Sequence, residues 1–236
     1  MYKSEKYNEN RANVGVTVVP FIYEDDKIKT LIYKRSSDSE VFPDTYALPN
    51  TFFDIKKFNT LEESAEFALA EKTSVKLKHL EQIHTFSGLE IDPRICTVNS
   101  CYLSICKKNE IIYLEENKFE HEWVDIEKAM NLVLAFNHNE VLVMAYQRLK
   151  SKAEYTPLSA LLLEDLFTIN QFREIIEYLI DKKLDNSRFR DRVKKTDVLI
   201  QADNQFKTGP NRPAQLYGLN EEYKDFFYPM SLTKPN

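Results

Sequence analysis

Several things are missing from this chain, and each absence narrows what it can be. No stretch of its 236 residues approaches the ~20 consecutive apolar residues of a membrane span. The opening MYKSEKYNEN is polar where a secretory leader would be apolar. The expectation is therefore a soluble, cytoplasmic protein with no membrane partner. Its three cysteines, Cys96, Cys101 and Cys106, are odd in number and match no common zinc spacing, which predicts reduced structural thiols. His79, His84, His121 and His138 show no paired ligand spacing, so structural roles are expected and no metal or cofactor is implied. A net positive charge is also missing. A net charge of −5 by itself argues against a nucleic-acid binder. The charge is uneven, however: residues 151–236 hold 13 basic and 13 acidic side chains, so the deficit lies in the first 150.

With 43% hydrophobic and 12% aromatic residues, the chain can bury a full core and supply one large or two ordinary domains. After a loose arm over residues 1–12, Asn13–Tyr23 and Lys29–Lys34 read as a hairpin around Glu24–Lys27, with Pro20 suggesting an edge or a bulge. Thr60 and Glu63 form a capping-box pattern, and Leu61, Ala65, Ala68 and Leu69 recur at helical spacing, predicting a helix to about Thr73. Leu80–Ser87 and Ile95–Cys106 read as strands, Trp123 begins a strand-to-helix passage, and Val141–Lys152 reads as a helix. This order predicts an α/β/α sandwich over residues 13–152.

A second domain is expected over residues 153–236. Leu158–Asp165 reads as a short helix behind Pro157, and Thr168 with Gln171 opens a helix whose stripe is Ile169, Phe172, Ile175, Ile176 and Leu179. Asp185 caps a third helix, Asn186–Lys195, with Phe189 and Val193 facing inward and Asn186, Ser187, Arg188, Arg190, Arg192, Lys194 and Lys195 facing out. Val198–Ala202 and Ala214–Tyr217 follow as strands around a loop containing Lys207 and Arg212. Helix, helix, basic helix and hairpin is the order of a winged helix-turn-helix. Its third helix enters the major groove while the wing touches the backbone or the minor groove.

The phrase LEESAEFALAEKTSV, within Leu48–Val75, resembles the Nudix box, G-x5-E-x7-R-E-U-x-E-E-x-G-U with U aliphatic. Aligned from its C-terminal end, the box places Phe67 at the arginine, Ala68, Glu71 and Lys72 at the three glutamates, and Ser74 at the glycine. Asn59 stands at the outlying glutamate and Asn50 or Thr51 at the leading glycine. Hydrolases of this family hold Mg²⁺ through several carboxylates on one helix face. Glu71 alone does not supply that cluster, and Lys72 puts a cation where an anion should help hold one, ready to meet a ligand phosphate instead.

FSGLEIDPRICTVNSCYL is similar to a stretch of Nudix proteins of the ADP-ribose type. LFTINQFREIIEYLI, LDNSRFRDRV and GPNRPAQLYGL resemble the C-terminal phrases of NrtR-type Nudix-related transcriptional regulators, and the similarity runs from Asn13 to Leu219. The resemblance implies an α+β protein and a dimeric repressor. Its inactive Nudix domain, with no catalytic residues, metal or cofactor, would bind an effector through Arg35, Tyr46, Phe52, Glu71, Lys72, Asp92 and Arg94. Its winged helix would bind an inverted-repeat DNA operator. The effector implied is ADP-ribose or a related NAD metabolite. A sugar such as arabinose, as in a sister group, and an active ADP-ribose pyrophosphatase both stay open. Asp191 departs from the family, which often has a basic residue there; it can accept from cytosine N4 or orient Arg188.

Overall fold

A computed structural model describes residues 11–73, 75, 79–107, 119–207, 213–223, 228 and 231–233. Residues 1–10 of the arm expected over 1–12, Ser74 and Arg212 lie outside the described residues. The chain divides into two compact units, residues 1–145 and 146–236.

The first unit is built on β1 (Asn13–Glu24), whose apolar run is buried from Gly15 to Ile22, as expected of a strand covered on both faces. It pairs antiparallel with β2 (Lys27–Lys34) through a turn in which Asp25 and Asp26 both have left-handed φ. Aspartate tolerates that conformation best after glycine and asparagine. Short strands β3 (Tyr46–Ala47) and β4 (Asn50–Phe52) join β2 and β1 respectively. Helix α1 (Leu61–Thr73) buries Ala65, Ala68 and Leu69 against β1 and β2 residues Val16, Val18, Ile22 and Leu31. Next come β5 (His79–Gly88), β6 (Thr97–Ile105), β7 (His121–Asp125) and α2 (Ile126–Met130). Among the described residues the sheet holds seven strands, with β6 parallel to β1.

Pro20, expected at an edge or a bulge, is not at an edge. It lies in central β1, paired in register with Ser104 of β6. On the other side β1 pairs with β4 at Gly15–Thr17 and with β2 at Phe21–Glu24. Pro20 falls between these ladders, where its missing N–H breaks none of the paired positions. Helix α3 (His138–Tyr155) begins earlier than its apolar spacing predicts, and the division between the units falls inside it.

In the second unit, Pro157–Leu162 is a 3-10 helix capped by the Thr156 hydroxyl, shorter than the helix expected over 158–165. Helix α4 (Ile169–Ile180) carries the predicted capping box in both directions. Helix α5 (Asn186–Lys194) is capped by Asp185, which accepts from the Arg188 amide at 2.8 Å. Phe167, Phe172 and Phe189 stack in series at 5.8 and 5.9 Å and form the centre of this unit's core. Strands β8 (Leu199–Lys207) and β9 (Ala214–Leu219) form an antiparallel pair, both longer than predicted.

Candidate functional site

The first unit contains a cavity of about 270 Å³. Its floor is the start of β1 at Gly15, Val16 and Thr17, with Asn99 beside them. Gly15 fits tightly there: a Cβ would lie 3.3 Å from the Asn99 Oδ1, which would have to shift by a few tenths of an ångström. Of the residues expected to meet a ligand, Arg35, Phe52, Lys72, Asp92 and Arg94 all line this cavity, although they come from four separate segments. Tyr46 and Glu71 are not among the lining residues. The Tyr46 hydroxyl is hydrogen-bonded to Glu122 of β7, which it reaches across β2, since β3 and β7 both pair with β2 at Tyr33. Glu71 is one residue off the helix face that Lys72 presents, and its carboxylate turns to the Lys72 ammonium at 2.9 Å.

The charged groups are organised by pairing. Asp92 is buried and receives the Arg94 guanidinium through two bonds, Nε to Oδ1 at 2.9 Å and an Nη to Oδ2 at 2.7 Å. That hydrogen-bonded fork outweighs burial and holds the Asp92 carboxyl below the usual range. Arg35 donates to the carbonyls of Val41 and Phe42 and lies 4.8 Å over the Phe136 ring. Phe42 and Phe136 meet edge-on at 5.0 Å, and both have left-handed φ, 49° and 57°. A bulky residue in that region costs about 1–3 kcal/mol and is tolerated where surrounding packing imposes it. Lys72 projects its ammonium 4.2 Å over the ring of Phe119 and 5.8 Å over that of Tyr33.

Sequence reading missed Phe136, Asn137 and His138 as lining residues. His138 is fully enclosed, and its Nδ1 accepts the Leu48 amide at 3.0 Å. Burial first, then the Arg35 charge, pushes its pKa down to about 3. The imidazole is neutral at physiological pH and, since Nδ1 accepts, carries its proton on Nε2. Both polar atoms of the Asn137 amide are buried and unpartnered. Unsatisfied amides inside a protein are uncommon and require an explanation. Asn137 is a lining residue of the cavity, but its amide atoms are turned away from the water-accessible space. The only cue in the sequence was the phrase Ala135-Phe136-Asn137-His138 itself.

The donor set does not fit Mg²⁺. On α1, Glu63 is consumed in capping: its backbone N–H donates to the Thr60 hydroxyl at 3.1 Å, while its carboxylate accepts from the Asn59 amide at 2.7 Å. Glu62 accepts from the Tyr102 hydroxyl at 3.1 Å, and Glu71 is held by Lys72. Among the described residues no three acidic, histidine or cysteine side chains converge as a metal site.

The second unit carries the basic surface. With Phe189 and Val193 buried, α5 turns Asn186, Ser187, Arg188, Arg190, Asp191, Lys194 and Lys195 to solvent, with Arg192 half-buried. At ~100° per residue, Ser187, Asp191 and Lys194 lie opposite the buried stripe. Arg190 and Lys194 also border a groove of about 470 Å³ shared with the start of α4 and with the β8–β9 pair. Lys207 is exposed at the end of β8. The turn between α4 and α5 is fastened by Glu177, which is buried and accepts from the Leu184 amide at 2.8 Å, Lys183 at 3.1 Å and Arg173. Burial works to raise its pKa, but these donors outweigh it and hold the carboxyl below the usual range.

A family model described as the NrtR DNA-binding winged helix domain matches residues 159–219. The sequence is 30% identical over 234 residues to the ADPR responsive transcriptional repressor NtrR of Acinetobacter baylyi, covering 99% of this chain and 92% of that one. Shewanella oneidensis NrtR, solved in complex with a 27mer DNA, matches with a TM-score of 0.83 at 28% identity, over 92% of this chain and 98% of that chain. The NUDIX domain of the same protein, solved with ADP ribose, matches with a TM-score of 0.55 at 26% identity, over 63% of this chain and 99% of that chain. Sequence likeness extending through both units, and not through one shared module, decides the assignment. The chain belongs to the NrtR family of transcriptional regulators, in which a Nudix-type α+β domain precedes a winged helix.

Proposed function

We propose that this protein is a ligand-responsive repressor that binds DNA through α5 and the β8–β9 wing and senses ADP-ribose, or a close NAD metabolite, in the cavity of its first unit. The observation that carries this reading is a cavity with three cationic lining side chains and one carboxylate, on the same chain as an exposed basic helix followed by a wing. The A. baylyi relative, named as responsive to ADPR, supports the choice of effector over a sugar. Arg35, Lys72, Asp92 and Arg94 are the proposed effector contacts, with Phe52 at the rim. Asn186, Ser187, Arg188, Arg190, Arg192, Lys194, Lys195 and Lys207 are the proposed DNA contacts.

We infer that the first unit does not hydrolyse its ligand, since the box carboxylates are replaced or tied up in internal bonds. A homodimer reading an inverted repeat in the cytoplasm completes the proposal, because two-fold protein symmetry matches two half-sites. No helix among the described residues is long and apolar enough to cross a membrane. Effector control requires that ADP-ribose bind the DNA-competent and DNA-released arrangements with different affinity.

The test is a gel shift on the DNA upstream of the protein's own gene, titrated with ADP-ribose, NAD, nicotinamide and pentoses. ADP-ribose is expected to raise the protein concentration needed for half-retardation. Midpoints unmoved by every metabolite overturn the sensing role. Magnesium-dependent release of AMP from ADP-ribose, abolished in Glu71→Gln, overturns the assignment as a non-enzyme.

A further inference from the structure

We infer that Lys72 replaces the metal: its ammonium is the charge that neutralises a diphosphate in this cavity, so that the ligand binds without a divalent ion. The inference deepens the reading above and rests on a diphosphate-bearing effector entering the cavity.

Three observations converge on it. The first is position. Lys72 occupies the last turn of α1, on the helix that carries the altered box, and lines the cavity. The second is the way the side chain is held. Only 16% of it is exposed, its ammonium is seated over the Phe119 and Tyr33 rings, and one carboxylate, Glu71, is its ion-pair partner. A lysine confined in this way has already lost much of the rotamer freedom that binding would otherwise cost. Glu71 is 36% exposed, so its pairing is screened and open to competition from a ligand oxygen bearing more charge.

The third is the state of the other cations. Arg94 is engaged by Asp92 and reaches Glu40 at 3.7 Å, and Arg35 spends donors on two backbone carbonyls. Both are fixed in place with only part of their donor capacity spent. Among the described residues Lys72 pairs with Glu71, and an ammonium carries three donors. The lining itself carries three cations, Arg35, Lys72 and Arg94, against Asp92, and the balancing carboxylates of Glu71 and Glu40 stand outside it, an arrangement that suits a diphosphate.

Titration calorimetry on the full-length protein tests this with two probes, ADP-ribose and inorganic pyrophosphate, each in EDTA and in millimolar Mg²⁺. The wild-type protein is expected to bind ADP-ribose in EDTA within about twofold of its affinity in Mg²⁺. Lys72→Gln is expected to lose at least tenfold for both probes, and Lys72→Arg, which keeps a cation, to lose less. Thermal midpoints of the variants report folding. Binding that disappears in EDTA, or a folded Lys72→Gln that binds like wild type, overturns the inference and leaves ADP-ribose sensing standing. Pyrophosphate bound in a Lys72-dependent way without any ADP-ribose binding sinks the effector reading and keeps the role of Lys72. If neither probe binds, both fail.

Discussion

Replacing Glu177 with alanine tests how α5 is held for DNA. The side chain is 4% exposed and takes the Leu184 amide and Arg173 on one oxygen and Lys183 on the other. A hydrogen bond to a charged acceptor contributes about 1.5–3 kcal/mol net. The Lys183 side chain is 92% exposed, so its share falls in the ~0–1 kcal/mol range of surface pairs. With the part-buried Arg173 pair lost as well, the expected loss is at least about 2–3 kcal/mol, which corresponds to roughly 30- to 150-fold or more. It should appear as faster hydrogen exchange of amides in the α4–α5 turn and in α5. Operator affinity should fall as well, since the turn sets the placement of the basic helix.

The pH dependence has a definite sign. Because the Glu177 carboxyl sits below its usual range when folded, the unfolded chain takes up the proton first. The contribution is therefore complete at neutral pH and is lost as pH falls below about 4.3 and through the folded value. The gap between wild type and Glu177→Ala should close in acid. A gap that stays constant to pH 3, or one under about threefold at pH 7, would refute the reasoning.

His138 is held neutral, so stability linked to it is full above about pH 6.5 and declines as pH falls towards 3. His138→Gln should flatten the acid dependence of the first unit's thermal midpoint between pH 6.5 and pH 4.5. Burial pushes the Cys101 and Cys106 thiols up to about 12, while Cys96 is only half-buried. An aromatic disulfide reagent at pH 8 should therefore label Cys96 quickly and the other two only in denaturant, as peptide mapping will report. Changing both Arg190 and Lys194 to alanine should lower the slope of log affinity against log salt by about 1.8 if each meets a phosphate. Asp191→Ala should relax sequence preference more than affinity, measured by competition between operator variants, because Asp191 sits at the middle of the outward face.

Local physics made much of this protein legible in its sequence. The Thr168–Gln171 capping box, the Asp185 cap and the stripe from Ile169 to Leu179 act over a few residues, and the structure repeats each of them. Covalent neighbours decide whether a hydroxyl can reach an amide three residues on, so one dimension is enough. The altered box was equally plain as composition: one acid in the place of three, with a lysine beside it.

What the chain alone did not disclose depends on registry between distant segments. Pro20 reads as an edge or bulge residue until two separate ladders are seen to leave a gap for it. Tyr46 looks like a ligand contact until β3 sets its hydroxyl against Glu122. His138 looks like a spare histidine until the fold brings the Leu48 amide to its ring. Residue types and spacing determined that this chain is a basic winged helix behind a box short of acids. Tertiary structure alone decided that Arg35, Lys72, Asp92, Arg94 and Asn137 share one cavity. Charges and amides acquire partners through space, and no periodicity records which ones remain unpaired.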